Sequence, residues 1–539
     1  MTTLEAMQKL ETLDRELVLL EHIGATLSWD QQTVISEKGH DERAAQMAWI
    51  QGRHHELATS EAMGELLAKL GADEQRPEGG DSLDGTADDP EMIQRNKALV
   101  RIRYEAWDKE RKLPSSLVEK LAETTGKAHS AWVKARRECD WSLFKPLLGD
   151  IVSLVQEKAV CYGGKPKNTG HSAGTDKENA TGKDEKSLYD VLLDEYEPGM
   201  DTATVASLFK TMKHDLQGLL ADITRSGQPD DSFLYEAYPV DLQDKFGKEI
   251  LRDMGFDFSR GSMGLAAHPF TSTIGCDDIR ITTRYTEPSV SSPLFSTIHE
   301  GGHALYEQGA SNPLTHGTSL ANGASFAFHE SQSRLWENII GHSPAFWEHY
   351  YPRFKQLFPN QTAGIDLRTF TKGINKVVPS MIRVNADEVT YGLHIILRFE
   401  LEQALIEGTV TLDELPELWD EKMVELLGIR PQTTADGVLQ DVHWAGGDFG
   451  YFPTYALGNL YGAQIWETLC RSLGGVEAVD DLLRQGDLKT IGSWLNEHIY
   501  QYGMMYRPSD LLARVTGRPL DAGCFTRYLD GKYRHLYGF

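Results

Sequence analysis

The spacing of apolar residues along the chain predicts helices over most of its length. Residues 1–70 place apolar side chains at steps of three and four, as in "LVLLEHIGATLSWDQQT" (17–33), which is the period of an amphipathic helix. The same period returns at Pro293 and continues almost to the C-terminus. The pattern therefore predicts a mainly α protein, and we expect residues 1–70 to form an N-terminal helical lid.

The middle of the chain contains a break between helices and a change of pattern. A helical region runs from Ile93 to about Tyr162 and breaks near Pro114, because proline and serine are typical of the first turn of a new helix. Further helices reach about residue 258. Within 268–287, the threonine, isoleucine and tyrosine content of "DIRITTRY" favours one or two strands. We expect a small antiparallel sheet beside the helices.

Two segments lack the large apolar residues that a packed core requires. Residues 71–91 and 163–186 are rich in Gly, Asp, Lys, Asn and Thr, so burial could not offset the entropy lost on ordering them. We expect both to be mobile surface insertions, with His171 as a solvated loop residue. A chain of this length has room for two or three lobes, but we expect 1–539 to form a single catalytic domain.

The composition excludes several classes of partner. The chain has 54 basic and 80 acidic residues, for a net charge of -26, whereas binding to a phosphate backbone needs a basic surface. No run of about 18 apolar residues is present, and the N-terminus lacks the features of a secretory signal. The five cysteines are scattered singly, which argues against a disulfide framework. We expect a cytoplasmic protein that binds neither nucleic acid nor membrane.

The stretch "FSTIHEGGHALYEQG" (295–309) carries the pattern H-E-x-x-H. On a helix, His299 and His303 face the same way and can direct their imidazole nitrogens at one metal ion. Glu300 is turned by about 100° from His299, which places its carboxylate beside the metal as a candidate base. Such a short motif also occurs in helices that merely bury two histidines, so the surrounding residues must distinguish the two interpretations.

The residues around the motif favour the metal site. The apolar side chains of "SPLFSTIH" (292–299) are sufficient to bury the helix. Gly301 and Gly302 each destabilise a helix by about 1 kcal/mol relative to alanine, so their presence indicates a structural or functional requirement. We expect them to leave open space on the face where a substrate would lie.

A catalytic zinc ion needs a third protein ligand as well as an open position for water. The metzincin pattern would place glycine and histidine where this chain has Tyr306 and Gly309, so that class is excluded. Glu330, in the amphipathic pattern "FAFHESQSRLWENIIG" (326–341), could complete a His2Glu site of the thermolysin kind. Glu337 in the same helix is the rival candidate, and Glu330 could equally be a surface residue.

Several motifs in a fixed order resemble those of the carboxypeptidase Taq family of zinc metallocarboxypeptidases. The resemblance covers nearly the whole chain outside the two insertions, and it is far more specific than one H-E-x-x-H. The matching motifs are "LSWDQQT", "LYDVLLDEYEPGM", "HPFT", "DIRITTRY", "HEGGHALYEQG", "HESQSRLWEN", "PSMIRVNADEVTYGLHIILRFELE" and "GVLQDVHWAGGDFGYFPTYALGN".

The resemblance implies a large, mainly α metallopeptidase fold with a deep central cleft and a small β-sheet next to the metal helix. It implies a cytoplasmic homodimer that releases single C-terminal amino acids from peptides with broad specificity. His299, His303 and Glu330 would bind one zinc ion per chain, with Co2+ or Mn2+ as alternatives. Glu300 would be the general base that takes a proton from water and passes it to the leaving amine.

The tetrahedral oxyanion of peptide hydrolysis needs a hydrogen-bond donor besides the metal. His443, in "GVLQDVHW", is the first candidate, and Tyr455 or Tyr451 of "GYFPTY" is the second. The two tyrosines could instead belong to an ordinary aromatic core.

A peptidase that demands a free C-terminus must recognise a carboxylate. Arginine does this best, because its guanidinium can bond both carboxylate oxygens. Arg383 and Arg398 lie in segments that resemble the family, and Arg430 is a third candidate. We favour Arg383, although each arginine could instead pair with an acidic residue close to it in sequence.

Two residues of "DIRIT" are candidates for supporting the metal helix. Histidine ligands usually donate their second N–H to a carboxylate or carbonyl, which Asp278 could supply, with Arg280 beside it. An ordinary ion pair on a strand would explain Asp278 and Arg280 equally well.

Two other functions are alternatives to the carboxypeptidase. A dipeptidyl carboxypeptidase or an oligoendopeptidase would use the same ligands, because a His2Glu set does not fix where the substrate is cut. A catalytically inactive relative that only binds partners is disfavoured, because the three candidate ligands and Glu300 are all present.

Overall fold

The computed structural model describes residues 1–166 and 185–539, most of which lie in helices. In chain order the helices are α1 (Thr3–Thr33), α2 (His40–Ala58), α3 (Glu61–Lys69), α4 (Pro90–Lys112), α5 (Ser115–Glu138), α6 (Lys145–Cys161), α7 (Leu188–Leu193), α8 (Thr202–Arg225), α9 (Val240–Met254), α10 (Ser291–Ala310), α11 (Phe326–Arg334), α12 (Pro344–Leu357), α13 (Leu367–Ile374), α14 (Glu388–Ile406), α15 (Leu415–Leu427), α16 (His443–Gly446), α17 (Phe452–Ser472), α18 (Val476–Gln485), α19 (Leu488–His498), α20 (Pro508–Thr516) and α21 (Ala522–Tyr537). The strands are β1 (Gly261–Leu265), β2 (Thr271–Gly275) and β3 (Asp278–Thr283).

The prediction of a mainly α protein with a small sheet is confirmed. Among the described residues, no helix has an apolar stretch long enough to cross a bilayer. Residues 167–184 of the predicted second insertion, His171 among them, lie outside the described part of the chain.

The helix break predicted near Pro114 is confirmed. Helix α4 ends at Lys112 and α5 begins at Ser115, with Pro114 in an extended conformation between them. A second break follows α5, because Cys139 adopts a left-handed conformation with a φ of 53°. This conformation is uncommon for residues other than glycine, and the apolar pattern does not indicate it.

The segment 71–91 is anchored to the core at two apolar residues, Ala72 and Leu83. Its 3-10 turn, Asp81–Gly85, buries Leu83 completely in a cluster that also contains Leu70 and Val100. The segment is expected to be a surface insertion because it has few large apolar residues, and the structure shows that one of these, Leu83, is nevertheless buried. The mobility of the segment stays a prediction.

Packing separates the described residues into two compact units. The first comprises Met1–Arg111, Gln228–Lys376 and Gly458–Phe525, and the second comprises Lys112–Gly227, Val377–Leu457 and Thr526–Phe539. Each unit draws on three separated stretches, so neither is a continuous segment of sequence. The single catalytic domain 1–539 and its lid at residues 1–70 stay predictions.

Helix α10 is the centre of the packing in the first unit. It contacts α9, α11 and β3, and its N-terminal half buries Leu294, Phe295 and Ile298, as the apolar pattern before His299 predicts. Full burial of an aliphatic or aromatic side chain of this size stabilises the fold by about 1.5–3 kcal/mol. The helix that carries the H-E-x-x-H motif is thereby fixed in position.

The sheet of the first unit is mixed, not antiparallel. Strand β3 is central, with β1 parallel to it on one side and β2 antiparallel on the other. The hairpin of β2 and β3 accounts for the predicted antiparallel pair. The third strand, β1, has the sequence "GSMGL", which has little β propensity, and it is added by pairing with β3 alone.

The second unit is built around α14, whose side chains are almost all buried. Helices α8 and α15 pack against it. Asp387 caps its N-terminus by accepting hydrogen bonds from the backbone N–H groups of Val389 and Thr390, both at 3.0 Å. Because α14 is buried all round, its polar residues Arg398 and Glu402 require partners inside the protein.

Glu402 is a fully buried carboxylate in this core. Its oxygens accept hydrogen bonds from the indole of Trp444 at 2.7 Å, the hydroxyl of Tyr189 at 2.8 Å and the backbone N–H of Gly450 at 3.2 Å. Burial raises the pKa of Glu402 to about 7, because the charged form loses more hydration than these donors replace.

We expect Glu402 to make the second unit less stable as the pH rises. Its folded pKa of about 7 lies above its ordinary value of 4.5, so the folded state binds the proton more tightly than the unfolded state. The stabilisation is fully present below pH 4.5 and is lost as the pH rises through about 7. It amounts to about 3 kcal/mol, since each pKa unit contributes about 1.4 kcal/mol.

The measurement is the difference in urea-unfolding midpoint between the unsubstituted protein and Glu402→Gln, taken from pH 5 to pH 8. As the pH rises, the midpoint of the unsubstituted protein should fall relative to that of Glu402→Gln. Glu400→Gln, on the partly exposed side of the same helix, is the control. A difference that stays constant or grows with pH contradicts the prediction.

Candidate active site

Helices α10 and α11 hold the residues of the predicted metal site. His299 and His303 lie one turn apart on one face of α10. Ser325 caps α11 by accepting a hydrogen bond from the backbone N–H of Phe328 at 3.0 Å, and Glu330 follows one turn later. Glu330 is buried, so the alternative of a surface glutamate is wrong.

The structure brings three predicted ligands to one point. Oε2 of Glu330 lies 3.6 Å from Nε2 of His299 and 3.5 Å from Nε2 of His303. One donor atom from each residue lies within 4.8 Å of the other two, and among the described residues these three form the group of histidine, cysteine and acidic side chains with metal-ligand spacing. The H-E-x-x-H helix and Glu330 therefore converge as the sequence predicts.

Glu337 occupies the opposite side of His299. Its Oε2 lies 2.8 Å from Nδ1 of His299, so it contacts the ring nitrogen that faces away from Glu330. Arg334 contacts both acids, with its Nε 2.7 Å from Oε1 of Glu330 and its Nη1 3.4 Å from Oε2 of Glu337. This geometry supports Glu330 over its rival Glu337 as the third ligand.

The positive charges next to Glu330 and Glu337 keep these two carboxylates ionised. Burial lowers the pKa of His299, but Glu330 and Glu337 outweigh burial and raise the value to about 9. Burial lowers the pKa of His303 to about 4. Burial alone would raise the pKa of Glu330, yet Arg334 and the two histidines hold it well below its usual range. An ionised Glu330 is the form that ligates a metal.

Glu300 is buried and is held by a strand residue, Thr271, that is not among the predicted site residues. The hydroxyl of Thr271 on β2 donates to Oε2 of Glu300 at 2.6 Å. Burial raises the pKa of Glu300, while His299 and Thr271 act in the opposite direction. The signal for Thr271 was present in the motif "HPFT", whose last residue it is.

The two glycines of the motif serve helix packing. A Cβ atom at Gly301 would lie 2.5 Å from Cδ2 of Leu251 on α9, and one at Gly302 would lie 2.7 Å from the carbonyl oxygen of Gln332 on α11. Real Cβ atoms do not approach other atoms so closely. The expectation that Gly301 and Gly302 leave open space for a substrate is wrong, because neighbouring helices fill it.

Asp278 and Arg280 form an ion pair on β3. The guanidinium of Arg280 donates to Asp278 at 2.9 Å and 2.7 Å. The carboxylate that supports His299 is Glu337 and not Asp278. The ordinary ion pair on a strand was therefore the correct alternative.

In the second unit, Arg383 and Arg398 share a single carboxylate. Nε and Nη2 of Arg383 lie 3.0 Å and 2.8 Å from Oδ1 of Asp441, and Nε of Arg398 lies 2.6 Å from Oδ2. Nη1 of Arg383 donates to the hydroxyl of Tyr391 at 3.0 Å. Two guanidinium groups on one carboxylate leave this buried cluster with an excess positive charge. Arg430 is exposed and pairs with Glu417 at 2.6 Å.

His443 and Tyr455 lie beside this arginine cluster. Nε2 of His443 lies 3.3 Å from the hydroxyl of Tyr455, and the guanidinium of Arg383 lies 5.0 Å from the ring of Tyr455. Burial and Arg383 lower the pKa of His443 to about 4, so its imidazole is neutral at neutral pH. The ring of Tyr451 packs 5.2 Å from Tyr196, as in an aromatic core.

A comparison with known families decides the class of the protein. Residues 9–533 match the family model described as Carboxypeptidase Taq (M32) metallopeptidase. This chain belongs to the carboxypeptidase Taq family. The resemblance drawn from the separated motifs is therefore confirmed, and the protein is a metallocarboxypeptidase.

Named carboxypeptidases match the chain over nearly its whole length. "Thermostable carboxypeptidase 1" of Thermus thermophilus is 41% identical over 540 residues, which span 100% of both chains. "Carboxypeptidase 1" of Bacillus subtilis is 36% identical over 514 residues, 95% of each chain. The crystal structure of an M32 carboxypeptidase from Deinococcus radiodurans superimposes with a TM-score of 0.89 at 32% identity, covering 99% of this chain and 100% of that one.

The convergent residues fit the divalent metal that membership of the Taq family implies. Ligand atoms about 2.1 Å from a tetrahedral ion lie about 3.4 Å from one another, and the measured separations from Glu330 are 3.5 Å and 3.6 Å. Glu337 accepts the Nδ1 hydrogen of His299, so Nε2 is the ring nitrogen that would give up its proton to a metal at the same point. Both the spacing and the donor types suit the ion.

Proposed function

We propose that this protein is a zinc-dependent carboxypeptidase that releases single C-terminal amino acids from peptides with broad specificity. His299, His303 and Glu330 hold the zinc ion, one per chain, and Glu300 is the general base. The observation that carries the proposal is the convergence of three ligand atoms within 4.8 Å beside a buried glutamate on the same helix. Two imidazoles and one carboxylate are the ligand set of thermolysin-like zinc peptidases.

When bound, zinc supplies Lewis acidity, which polarises a carbonyl group and acidifies water. Glu300 takes one proton from the water that attacks the scissile carbonyl and transfers it to the leaving amine. Thr271 occupies Oε2 of Glu300, so Oε1 is the oxygen available for the proton. Burial raises the pKa of Glu300, which makes its carboxylate a stronger base in the first transfer.

His443 and Tyr455 are proposed as donors to the oxyanion. A neutral imidazole carries one N–H, and the hydroxyl of Tyr455 can fix its orientation because it lies 3.3 Å from Nε2 of His443. Among the described residues Nδ1 of His443 is buried without a hydrogen-bond partner. A buried polar atom of this kind is costly, and a bound substrate that supplied a partner would remove the cost.

Arg383 is proposed to bind the terminal carboxylate of the substrate. Three of its five N–H groups contact Asp441 and Tyr391, and the others can form a bidentate pair with a carboxylate. The second predicted arginine, Arg398, is fully buried and also donates to the carbonyl of His394 at 2.8 Å. Arg383 is also buried but keeps an exposed fraction of 5%, which favours it over Arg398, whose proposed role is to hold Asp441 in place.

The test compares a peptide that has a free C-terminus with the same peptide as its C-terminal amide. The unsubstituted protein should cleave the acid at least about 100-fold faster, as two charge-assisted hydrogen bonds of about 1.5–3 kcal/mol each would allow. Arg383→Met should reduce cleavage of the acid to the level of the amide, with the loss in kcat/KM. Arg430→Met is the matched control and should change neither rate.

The same comparison separates the proposal from the two other cut positions. An oligoendopeptidase would cleave the amide as fast as the acid, and a dipeptidyl carboxypeptidase would release dipeptides. If Arg383→Met preferred the acid over the amide as strongly as the unsubstituted protein does, the proposed role of Arg383 would be contradicted.

We also propose a homodimer and a cytoplasmic location, and replacement of zinc by Co2+ or Mn2+ with activity retained. These proposals rest on the resemblance to the family. Sedimentation of the purified protein tests the first, and reconstitution of the metal-free protein with each ion tests the last.

A further inference from the structure

The second ring nitrogen of His303 contacts another histidine. Nδ1 of His303 lies 2.6 Å from Nδ1 of His329 on α11, and Nε2 of His329 lies 2.6 Å from Oε1 of Glu307 on α10. The hydroxyl of Thr273 on β2 donates to Oε2 of Glu307 at 2.8 Å. His303, His329, Glu307 and Thr273 thus form a continuous chain of hydrogen bonds inside the first unit, which we name the His329 chain.

The His329 chain has a direction that its chemistry determines. The carboxylate of Glu307 accepts hydrogen bonds, so Nε2 of His329 carries the hydrogen. A neutral His329 then has a lone pair on Nδ1, and Nδ1 of His303 is the donor between the two rings. The remaining nitrogen of His303, Nε2, therefore carries a lone pair on the side of Glu330. A reversed direction would place the hydrogen of His303 on Nε2, where it blocks metal ligation.

The surroundings of His329 prevent its ring from turning away. Its ring lies 5.2 Å from the ring of Tyr306, and a Cβ atom at Gly323 would lie 2.7 Å from its Cδ2, so backbone approaches one side. Glu307 is 5% exposed, which keeps water from competing for its contact with His329. The two metal-helix histidines thus have different supports, because His299 contacts the carboxylate of Glu337 directly.

We propose that His329 and Glu307 are positioning residues that fix the tautomer and orientation of His303 for metal binding. The inference rests on the proposed metal site at His299, His303 and Glu330. Residues that orient a histidine ligand in this way typically change metal affinity by about 10–100-fold when they are replaced.

The test is the dissociation constant for zinc of the metal-free protein, measured by competition with a chromophoric chelator. His329→Leu removes the acceptor and should weaken binding by about 10–100-fold. His329→Asn keeps an acceptor oxygen near the position of Nδ1 and should restore the affinity to within about threefold of the unsubstituted protein. His316→Leu is the control, since His316 contacts Ser311 in the loop after α10.

The absorption spectrum of the Co2+-loaded protein supplies a second readout. Loss of a correctly oriented His303 should change the ligand-field bands in His329→Leu and leave them unchanged in His329→Asn. If His329→Leu binds zinc within threefold of the unsubstituted protein, or if His329→Asn binds as weakly as His329→Leu, the inference is overturned.

The unsubstituted protein provides a test that does not depend on the folding of a variant. In the zinc-loaded protein labelled with 15N-histidine, His329 should carry its only hydrogen on Nε2, and a hydrogen on Nδ1 alone would overturn the inference. Failure of the unsubstituted protein to bind zinc would instead contradict the proposed function. Tight zinc binding that His329→Leu leaves intact would contradict only the positioning role.

Discussion

Glu300→Gln should lower kcat for peptide hydrolysis by about 10²–10⁴-fold while the protein retains its metal. Glutamine has the shape of glutamate and can still accept the hydroxyl of Thr271, but it cannot take a proton from water. General acid–base catalysis contributes rate factors of this size. The measurement combines steady-state kinetics on a peptide with metal analysis of the same preparation. Rates within tenfold of the unsubstituted protein would contradict the role of Glu300.

Thr271→Val provides a graded control for the Glu300 experiment. Valine keeps the shape of threonine and removes the hydroxyl that lies 2.6 Å from Oε2 of Glu300. The loss of one hydrogen bond of about 1–2 kcal/mol corresponds to about tenfold in kcat. An effect as large as that of Glu300→Gln would show that the fold around β2 has changed, and a melting curve distinguishes this case.

Glu330→Gln should weaken metal binding by more than about 100-fold, and Glu337→Gln should weaken it by only about 10–100-fold. Glu330 faces the Nε2 atoms of both histidines, whereas Glu337 contacts Nδ1 of His299 from behind. Loss of the ligand itself therefore weakens metal binding more than loss of a residue that orients a ligand. Both acids lie in the same stretch of chain and contact Arg334, so the pair is closely matched.

Competition with a chelator of known affinity measures both variants under the same conditions. The reverse order, with Glu337→Gln the weaker binder, would make Glu337 the third ligand. Equal losses would also contradict the assignment, because they would leave no difference between the residue at the metal and the residue behind His299.

The sequence predicts those parts of the site that depend on local spacing. His299 and His303 share a helix face because of their four-residue spacing, and Glu300 follows from the same helix. Glu330 lies 27 residues beyond His303, and no helical period links them. Its assignment needed the order of several motifs, and the structure then brought its carboxylate between the two imidazoles.

The packing contacts of the metal helix could not be predicted from local pattern. Gly301 and Gly302 were expected to face a substrate, but Leu251 and Gln332 on other helices lie against them. A residue's neighbours in space depend on the crossing of helices that the sequence places 30 to 50 residues away. A glycine pair in a helix therefore indicates a close approach without revealing which element approaches.

The partners of buried charged residues also depend on contacts between segments that are far apart in the sequence, so local pattern does not predict them. The alternative to substrate binding for Arg383 and Arg398 was pairing with acids close in the sequence, yet both contact Asp441, which is more than 40 residues away from each. Thr271 lies on a strand that precedes the metal helix, and only the sheet brings it to Glu300. Such long-range pairs are decided by tertiary packing, which the apolar period does not record.

The most direct test of the proposed carboxypeptidase activity follows a peptide ladder by mass spectrometry as the protein digests a peptide with a free C-terminus. We expect the successive loss of single C-terminal residues, complete arrest on addition of a zinc chelator, and recovery when zinc is restored in excess. Release of dipeptides, appearance of internal fragments, or digestion that continues in the chelator after the metal has been removed would contradict the proposed activity.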